Sequence, residues 1–494
     1  MPHVAAAQET VSQAKAPHII LIMTDQQRAD AMGCAGNEAV ITPNLDRLAA
    51  EGHRFCSAYT AAPSSTPARA GLLTGQSPWH HGMLGYGQVA EKYPFEMPRM
   101  LAQLGYHTMG IGKMHWYPQT TRHGFEATLL DESGRVESPG FMSDYRKWFC
   151  TQAFGMNPDS TGIGWNDHVA GAYALPERLH PTVWTGDMAV ETINGYASDR
   201  PLFLKVSFAR PHSPYDPPKR LVDMYEGRNI PAPVVGEWCE RLQPNMHPEA
   251  TPDAARGNFG VDYARRSRRY YYAAVTFIDE QIGRIVEALK RKGMYDNALI
   301  CFVSDHGDML GDHHMWRKTY AYEGSAAIPF IVKLPKQQPD ALPAGKVIDR
   351  PVELRDLLPT FLDIAGDSVP QKMDGLSLLP LMSRGESAIW RKYIDMEHAT
   401  CYWRDNCWVA LTDGKVKYIR FLLTGQEQLF NLIQDPGEVH DLSGERKWRK
   451  QLADMRQAMV EHLSERGEDW VKDGQIVVRK NSMLYSPNYP KAKK

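Results

Sequence analysis

The sequence predicts an α/β fold: a large domain with a central, mostly parallel mixed sheet flanked by helices, then a smaller α+β subdomain with a short antiparallel sheet. Three observations carry this. Continuous apolar runs such as Ile19 to Met23, Leu202 to Phe208 and Ala298 to Val303 alternate with amphipathic helical stretches, the pattern of strands buried on both faces. At 494 residues the chain exceeds what one hydrophobic core serves. After about residue 385 the alternation gives way to a hairpin pattern and one further helix.

Residues 1–16 are small and polar and read as a disordered lead-in, of the kind that follows a removed signal sequence. Ile19 to Met23 runs into Thr24-Asp25-Gln26, so a buried parallel strand delivers polar residues at its carboxyl end, where open α/β sheets bind ligands. Thr42-Pro43 opens a helix through Leu45, Leu48 and Ala49 that stops at Gly52, and Pro98 to Leu104 repeats the pattern before Gly105. Tyr106 to Ile111 and Ile328 to Leu334 read as further strands. Tyr270 to Leu289 is the longest helix, with Tyr270-Tyr271-Tyr272 assigned to packing. Gly134 to Ala174 and Arg210 to Pro233 are long loops of the kind that carry function. Further on, Cys407 to Leu411 and Lys415 to Phe421 form a hairpin around Thr412-Asp413-Gly414, and Trp448, Leu452, Met455, Met459 and Leu463 share one helix face. The predicted units are the lead-in 1–16, a large domain 17–385 and a subdomain 386–494.

Charge excludes two partner classes. With 56 basic and 58 acidic residues the chain has no global field for nucleic acid or an anionic membrane surface. Ile19 to Met23 falls far short of the roughly 20 residues of a membrane helix, so a soluble protein is expected. Seven cysteines form no CxxC pair, which argues against a zinc site; Cys401 and Cys407 are the one pair close enough to suggest a disulfide.

Ser65-Thr66-Pro67-Ala68-Arg69, followed by Thr74-Gly75, reads as a helix start that suits an anion, with Arg69 one turn on to neutralise charge. Asp25-Gln26 and Asp305-His306 close two predicted strands; their oxygen-rich set favours Ca²⁺, and the histidine leaves room for Mg²⁺ or Mn²⁺. Lys113 and His115, two apart in an extended stretch, point to one side.

The Ser65 to Gly75 string resembles the signature of type I, formylglycine-dependent sulfatases of the alkaline phosphatase superfamily. Gly110 to His115 resembles that family's G-x-G-K-x-H segment, and Arg210 to Tyr215 its H-x-P-[FY] loop. The likeness runs in motif order from Pro17 to Leu442. It implies that Ser65 is oxidised to formylglycine (3-oxoalanine) by a serine-type maturase, because a serine sulfate ester would have no easy exit. The hydrated aldehyde offers one hydroxyl to attack sulfur and another to expel sulfate. It also implies a metal held by Asp25, Gln26, Ser65, Asp305 and His306. Lys113 then stabilises the sulfate oxygens, His115 is the base for release, and His212 and Lys318 serve the leaving oxygen. Many members have Asp-Asp and Asp-Asn where this chain has Asp-Gln and Asp-His.

Ser77 to Tyr86 and Gly112 to Trp116 look like bacterial unsaturated-hexuronate 2-O-sulfatases acting on heparin-type glycosaminoglycans. On that reading Trp116, Tyr117, His180, Arg317, Tyr322, His398, Trp403 and Arg404 supply a rim that stacks a sugar and binds its carboxylate. The large domain is then catalytic, the subdomain closes the pocket, and the protein is periplasmic or secreted. The alternatives are a phosphodiesterase or phosphonate monoester hydrolase of the same superfamily, or a sulfated-glycan binder whose Ser65 is never converted.

Overall fold

The computed structural model describes residues 16–242, 251–338 and 340–490. The lead-in, Ala16 apart, lies outside the described residues. Strands β1 (His18–Asp25), β2 (His53–Phe55), β3 (Ala58–Tyr59), β4 (His107–Gly112), β5 (Ala127–Leu130), β6 (Leu202–Pro211), β7 (Ala298–Ser304), β8 (Phe330–Lys333) and β9 (Lys346–Ile348) precede the short β10 (Val352–Glu353), which pairs with β3. The main sheet has the order β5-β4-β6-β1-β7-β8-β2-β9. From β5 to β7 every pairing is parallel; β8 runs against both of its neighbours, and β2 and β9 are again parallel.

The central strand shows why the sheet is buried on both faces. From Ile19 onward β1 has no exposed residue. Alternation sends Ile19, Leu21 and Met23 into one layer with Ala68, Leu72 and Leu73 of the helix Ser65–Thr74. Ile20 and Ile22 enter the opposite layer with Ile278, Ile282 and Ile285 of the helix Val261–Arg291 and with Ile193 of Pro181–Gly195. A strand with apolar neighbours on both sides cannot shift register without exposing that surface, so its polar end is fixed in space.

The second sheet is antiparallel, β11 (Ile394–His398), β12 (Trp408–Thr412), β13 (Val416–Phe421) and β14 (Glu427–Asn431) in chain order. Asp413 turns the expected hairpin by accepting the Lys415 and Val416 amides. Val409 and Leu411 face Leu452, Met455, Met459 and Leu463 of the helix Arg449–Leu463. Trp408 and Ala410 face Met315, Tyr320 and Tyr322 of the large domain, which seats the small sheet on the loop after β7.

Two expectations are corrected here. Cys401 and Cys407 are both free, each on its own side of a turn, with the Cys407 thiol next to Ser482. Trp116 belongs to the core: it is 2% exposed, stacks on Phe125 at 6.0 Å and meets His123 edge-on at 4.5 Å. Trp116→Ala should therefore cost about 3–5 kcal/mol in denaturant unfolding. An unmoved midpoint would return Trp116 to the rim.

Candidate active site

Four adjacent parallel strands, β4, β6, β1 and β7, end side by side, and the chemistry stands at those ends. Lys113 follows β4, His212 follows β6, Asp25 closes β1 and Asp305 follows β7. The chain leaves β4 through Gly112 at φ 87°, where a Cβ would lie 2.1 Å from the Ser207 carbonyl oxygen, so only glycine fits. His115 itself has φ 59°. Met114, between Lys113 and His115, enters the core, as the expected alternation requires.

The helix Ser65–Thr74 brings its first residue to these ends. Ser65 Oγ lies 3.3 and 3.5 Å from the two Asp25 carboxylate oxygens and 3.1 Å from His306 Nε2. The neighbouring Ser64 hydroxyl is turned away, 2.8 Å from His398 Nε2. Arg69, one turn on, joins four elements: it donates to Asp305 at 2.9 Å, Asp25 at 3.1 Å, the Lys113 carbonyl at 2.6 Å and Ser207 Oγ at 3.0 Å. Lys113 Nζ pairs with Asp25 at 2.5 Å. Burial would raise the Asp25 carboxyl, but the cations Lys113 and Arg69 hold it well below the usual carboxylate range. Asp25 is thus an anion at neutral pH.

The histidines have defined tautomers, because a backbone carbonyl only accepts. His306 Nδ1–H donates to the Gly307 carbonyl at 2.9 Å, which leaves the Nε2 lone pair facing Ser65 and the two carboxylates. Burial lowers its pKa, against the pull of Asp305, so the ring is neutral. Ligand atoms of Asp25, Asp305 and His306 all lie within 4.8 Å of one another. Two carboxylates and a neutral imidazole aimed at one point, with a hydroxyl beside them, fit a divalent cation.

His212 Nδ1–H likewise donates to the Ser213 carbonyl, and its Nε2 accepts from Lys318 Nζ at 2.6 Å. Gln26, expected as an amide-oxygen ligand, is hydrogen-bonded at both ends of its side-chain amide. Its Oε1 accepts from Lys318 at 2.7 Å and its Nε2 donates to Asp308 at 2.5 Å, so the amide bridges two charged groups. His115 Nε2 is 3.5 Å from both Tyr86 OH and Glu137, and burial holds its pKa well below 6.5, with Lys113 and Arg135 lowering it further.

The rest of the expected rim divides. His180 is buried and caps the helix Pro181–Gly195 by accepting the Thr182 amide, with Asp216 beyond it; helix capping, not ligand contact, accounts for it. Tyr322 is buried against Trp238 and donates to Gln428. His398 stands behind Ser64 at the helix start and is 1% exposed. Arg404 is exposed and paired with Asp405. Arg317 lies 4.3 Å over the Tyr402 ring, and Trp403 is half-buried beneath Arg256 at 4.5 Å.

Residues outside the expected site set complete it. Asp308 accepts from Gln26, Tyr215, Leu310 and Arg317. Glu132 accepts the Met114 and His115 amides, and Tyr271 donates to the Gln26 carbonyl at 2.6 Å. Asp308 stood in the Asp305-His306-Gly307-Asp308 string; Glu132 and Tyr271 carry no local sequence signal.

This arrangement, at the carboxyl ends of a doubly covered sheet, defines a hydrolase with the alkaline phosphatase-like fold. Residues 17–367 match the Sulfatase family, and residues 311–465 match the family described as N-sulphoglucosamine sulphohydrolase, C-terminal. An arylsulfatase of Clostridium perfringens is 37% identical over 477 residues, 93% of this chain and 97% of that protein. A choline-sulfatase of Rhizobium meliloti is 31% identical over 460 residues, 86% of this chain and 82% of its own. The crystal structure of the phosphonate monoester hydrolase of Agrobacterium radiobacter superposes with a TM-score of 0.77 at 24% identity, covering 91% of this chain and 96% of that one, and so shares the fold. The chain belongs to the sulfatase family and is a sulfuric ester hydrolase.

Proposed function

We propose that the protein hydrolyses a sulfate ester on a carbohydrate, with the 2-O-sulfate of an unsaturated uronic acid in heparin-type or chondroitin disaccharides as its substrate. The observation that carries the reaction is Ser65 Oγ, 3.1 to 3.5 Å from His306 and Asp25 at a helix start. The match of the C-terminal portion to a glucosamine sulphohydrolase family and the half-buried Trp403 support a sugar. A cationic choline ester suits the site poorly, because Lys113, Arg317 and Arg135 already set positive charge around Lys318.

Formylglycine at position 65, formed by a serine-type maturase, would supply the hydroxyls of a hydrated aldehyde in place of an alcohol. Asp25, Asp305, His306 and residue 65 would hold a divalent cation, Ca²⁺ by its oxygen donors with Mg²⁺ as the other hard ion, which supplies charge neutralisation for sulfate. The chain's own groups do the rest. Arg69 and Lys113 hold Asp25 in place, His115 accepts a proton as a neutral base, and Lys318 with His212 delivers one to the leaving oxygen. Maturation and substrate of this kind fit a periplasmic or secreted enzyme. Among the described residues no helix is long and apolar enough to cross a membrane.

The test is free sulfate released from sulfated unsaturated disaccharides by the matured enzyme. No release from any sulfated sugar or aryl sulfate would sink the reading.

The proton on Lys318 gives a second check. Burial brings its ammonium down to about 7, against the pull of Asp25 and with the push of Lys113, Arg317 and Arg135. The group donates only while protonated, so kcat should fall as pH rises through about 7. Lys318→Arg keeps its charge at every working pH and should carry that limb upward while lowering the plateau. A limb at the same pH in both enzymes would remove Lys318 from the proton transfer.

A further inference from the structure

Most cations of the active site have an anion or acceptor from the protein. Arg69 has Asp25 and Asp305, Lys113 has Asp25, and Lys318 has Gln26 and His212. Asp308 is consumed by its four donors. Two arginines are left over.

Arg135 makes no ion pair among the described residues, and its Nη1 is buried without a hydrogen-bond partner. It lies in the loop after β5, between Glu132, whose carboxylate holds the His115 amide, and Glu137, 3.5 Å from the His115 ring. Its position does not come from slack. The Arg135 amide donates to the Glu132 carbonyl at 3.0 Å, and Gln119 clamps the loop, donating to the Arg135 carbonyl and accepting from the Glu137 and Ser138 amides. The guanidinium sits 5.7 Å from the Trp165 ring, and its field reaches Lys113, His115, His212 and Lys318. Arg317 repeats the pattern: its Nε is buried without a partner, its amide is tied to Asp308, and its guanidinium covers Tyr402.

A half-buried guanidinium without a counter-ion, beside other cations, is unfavourable in the free protein, and a bound anion relieves it. A sulfate ester brings one negative charge, which Lys113, Lys318 and a cation held by Asp25, Asp305 and His306 would already meet. We propose that Arg135, assisted by Arg317, binds a second anionic group on the same substrate, the carboxylate of a sulfated uronic acid, and so is a specificity-determining residue of this site. The backbone-clamped loop presents the fork ready-made, which suits bidentate recognition of a planar carboxylate. This rests on the sulfate-ester reading of Ser65.

The experiment compares a 2-O-sulfated unsaturated uronate disaccharide with its uronate methyl ester, which keeps the sulfate and removes the second charge. Dissociation constants are measured calorimetrically on the protein with Ser65 unconverted, and kcat/KM on the matured enzyme. The wild type should favour the free acid by about tenfold or more in both, the scale of a charged hydrogen-bonded pair. Arg135→Gln should bring the acid-to-ester ratio close to one, and Arg135→Lys should restore part of it. Equal ratios in the wild type and Arg135→Gln, with sulfate still released, overturn the proposal and leave the sulfatase reading intact. Absence of sulfate release from both compounds overturns the substrate reading beneath it.

Discussion

Ser65→Ala is expected to abolish sulfate release, by roughly 10⁴-fold or more, the scale on which a nucleophile's removal is felt. The geometry leaves no substitute. Ser64, the adjacent hydroxyl, is committed to His398 Nε2 at 2.8 Å on the far side of the helix start, and Thr66 accepts the Gly87 amide through its own hydroxyl. The fold should survive. Ser65 is 2% exposed, but Asp25 keeps Arg69 and Lys113 when the hydroxyl goes, so the stability change should stay within about 1 kcal/mol. Turnover and thermal melting measured on the same preparation separate the two effects. Intact mass adds a third readout, since oxidation of Ser65 lowers the peptide by about 2 Da. Ser65→Cys, matured by the cysteine-type route, should recover activity that Ser65→Ala cannot. Substantial activity in Ser65→Ala would remove residue 65 from the chemistry.

The fold was legible where the sequence carried long periodic signals. Ile19 to Met23, Leu202 to Phe208 and Ala298 to Val303 became β1, β6 and β7, since a run apolar on both faces can only be covered on both. The short strands β2, β5 and β9 escaped, because three or four residues at a sheet's outer part leave no period to read. The site was legible to the extent that parallel strands concentrate their carboxyl ends: Asp25, Lys113, His212 and Asp305 converge because β4, β6, β1 and β7 are neighbours. What spacing could not give was side-chain direction in irregular backbone. Trp116 stands three residues past Lys113 yet faces the core, and His180 caps a helix. Tyr271, assigned to packing, reaches the Gln26 carbonyl from a helix far away in sequence. Contacts of that kind are set by helix placement on the sheet, which no local pattern encodes.

Asp25 is the other position where one atom group should decide the outcome. Its carboxylate meets Arg69, Lys113, Ser65 and His306, and its carbonyl accepts the His212 amide. Asp25→Ala should cost about 3–5 kcal/mol, because buried cations are left facing Asp305 alone. Asp25→Asn keeps the shape and one acceptor and should fold with a smaller loss, yet lose turnover by roughly 10³-fold or more for want of the charge that aligns Arg69 and Lys113. Two measurements tell the electrostatic role from the metal-holding one. Asp25 has a depressed pKa in the folded state, so its contribution to stability is present above about pH 4 and is lost as pH falls toward the depressed value. The wild type should therefore shed stability on the acid side more steeply than Asp25→Asn. Added Ca²⁺ should raise the wild-type melting temperature in proportion to the logarithm of its concentration and leave Asp25→Asn unmoved. A calcium response preserved in Asp25→Asn would place the ion elsewhere, whereas an acid limb preserved in that variant would assign the proton to another carboxylate.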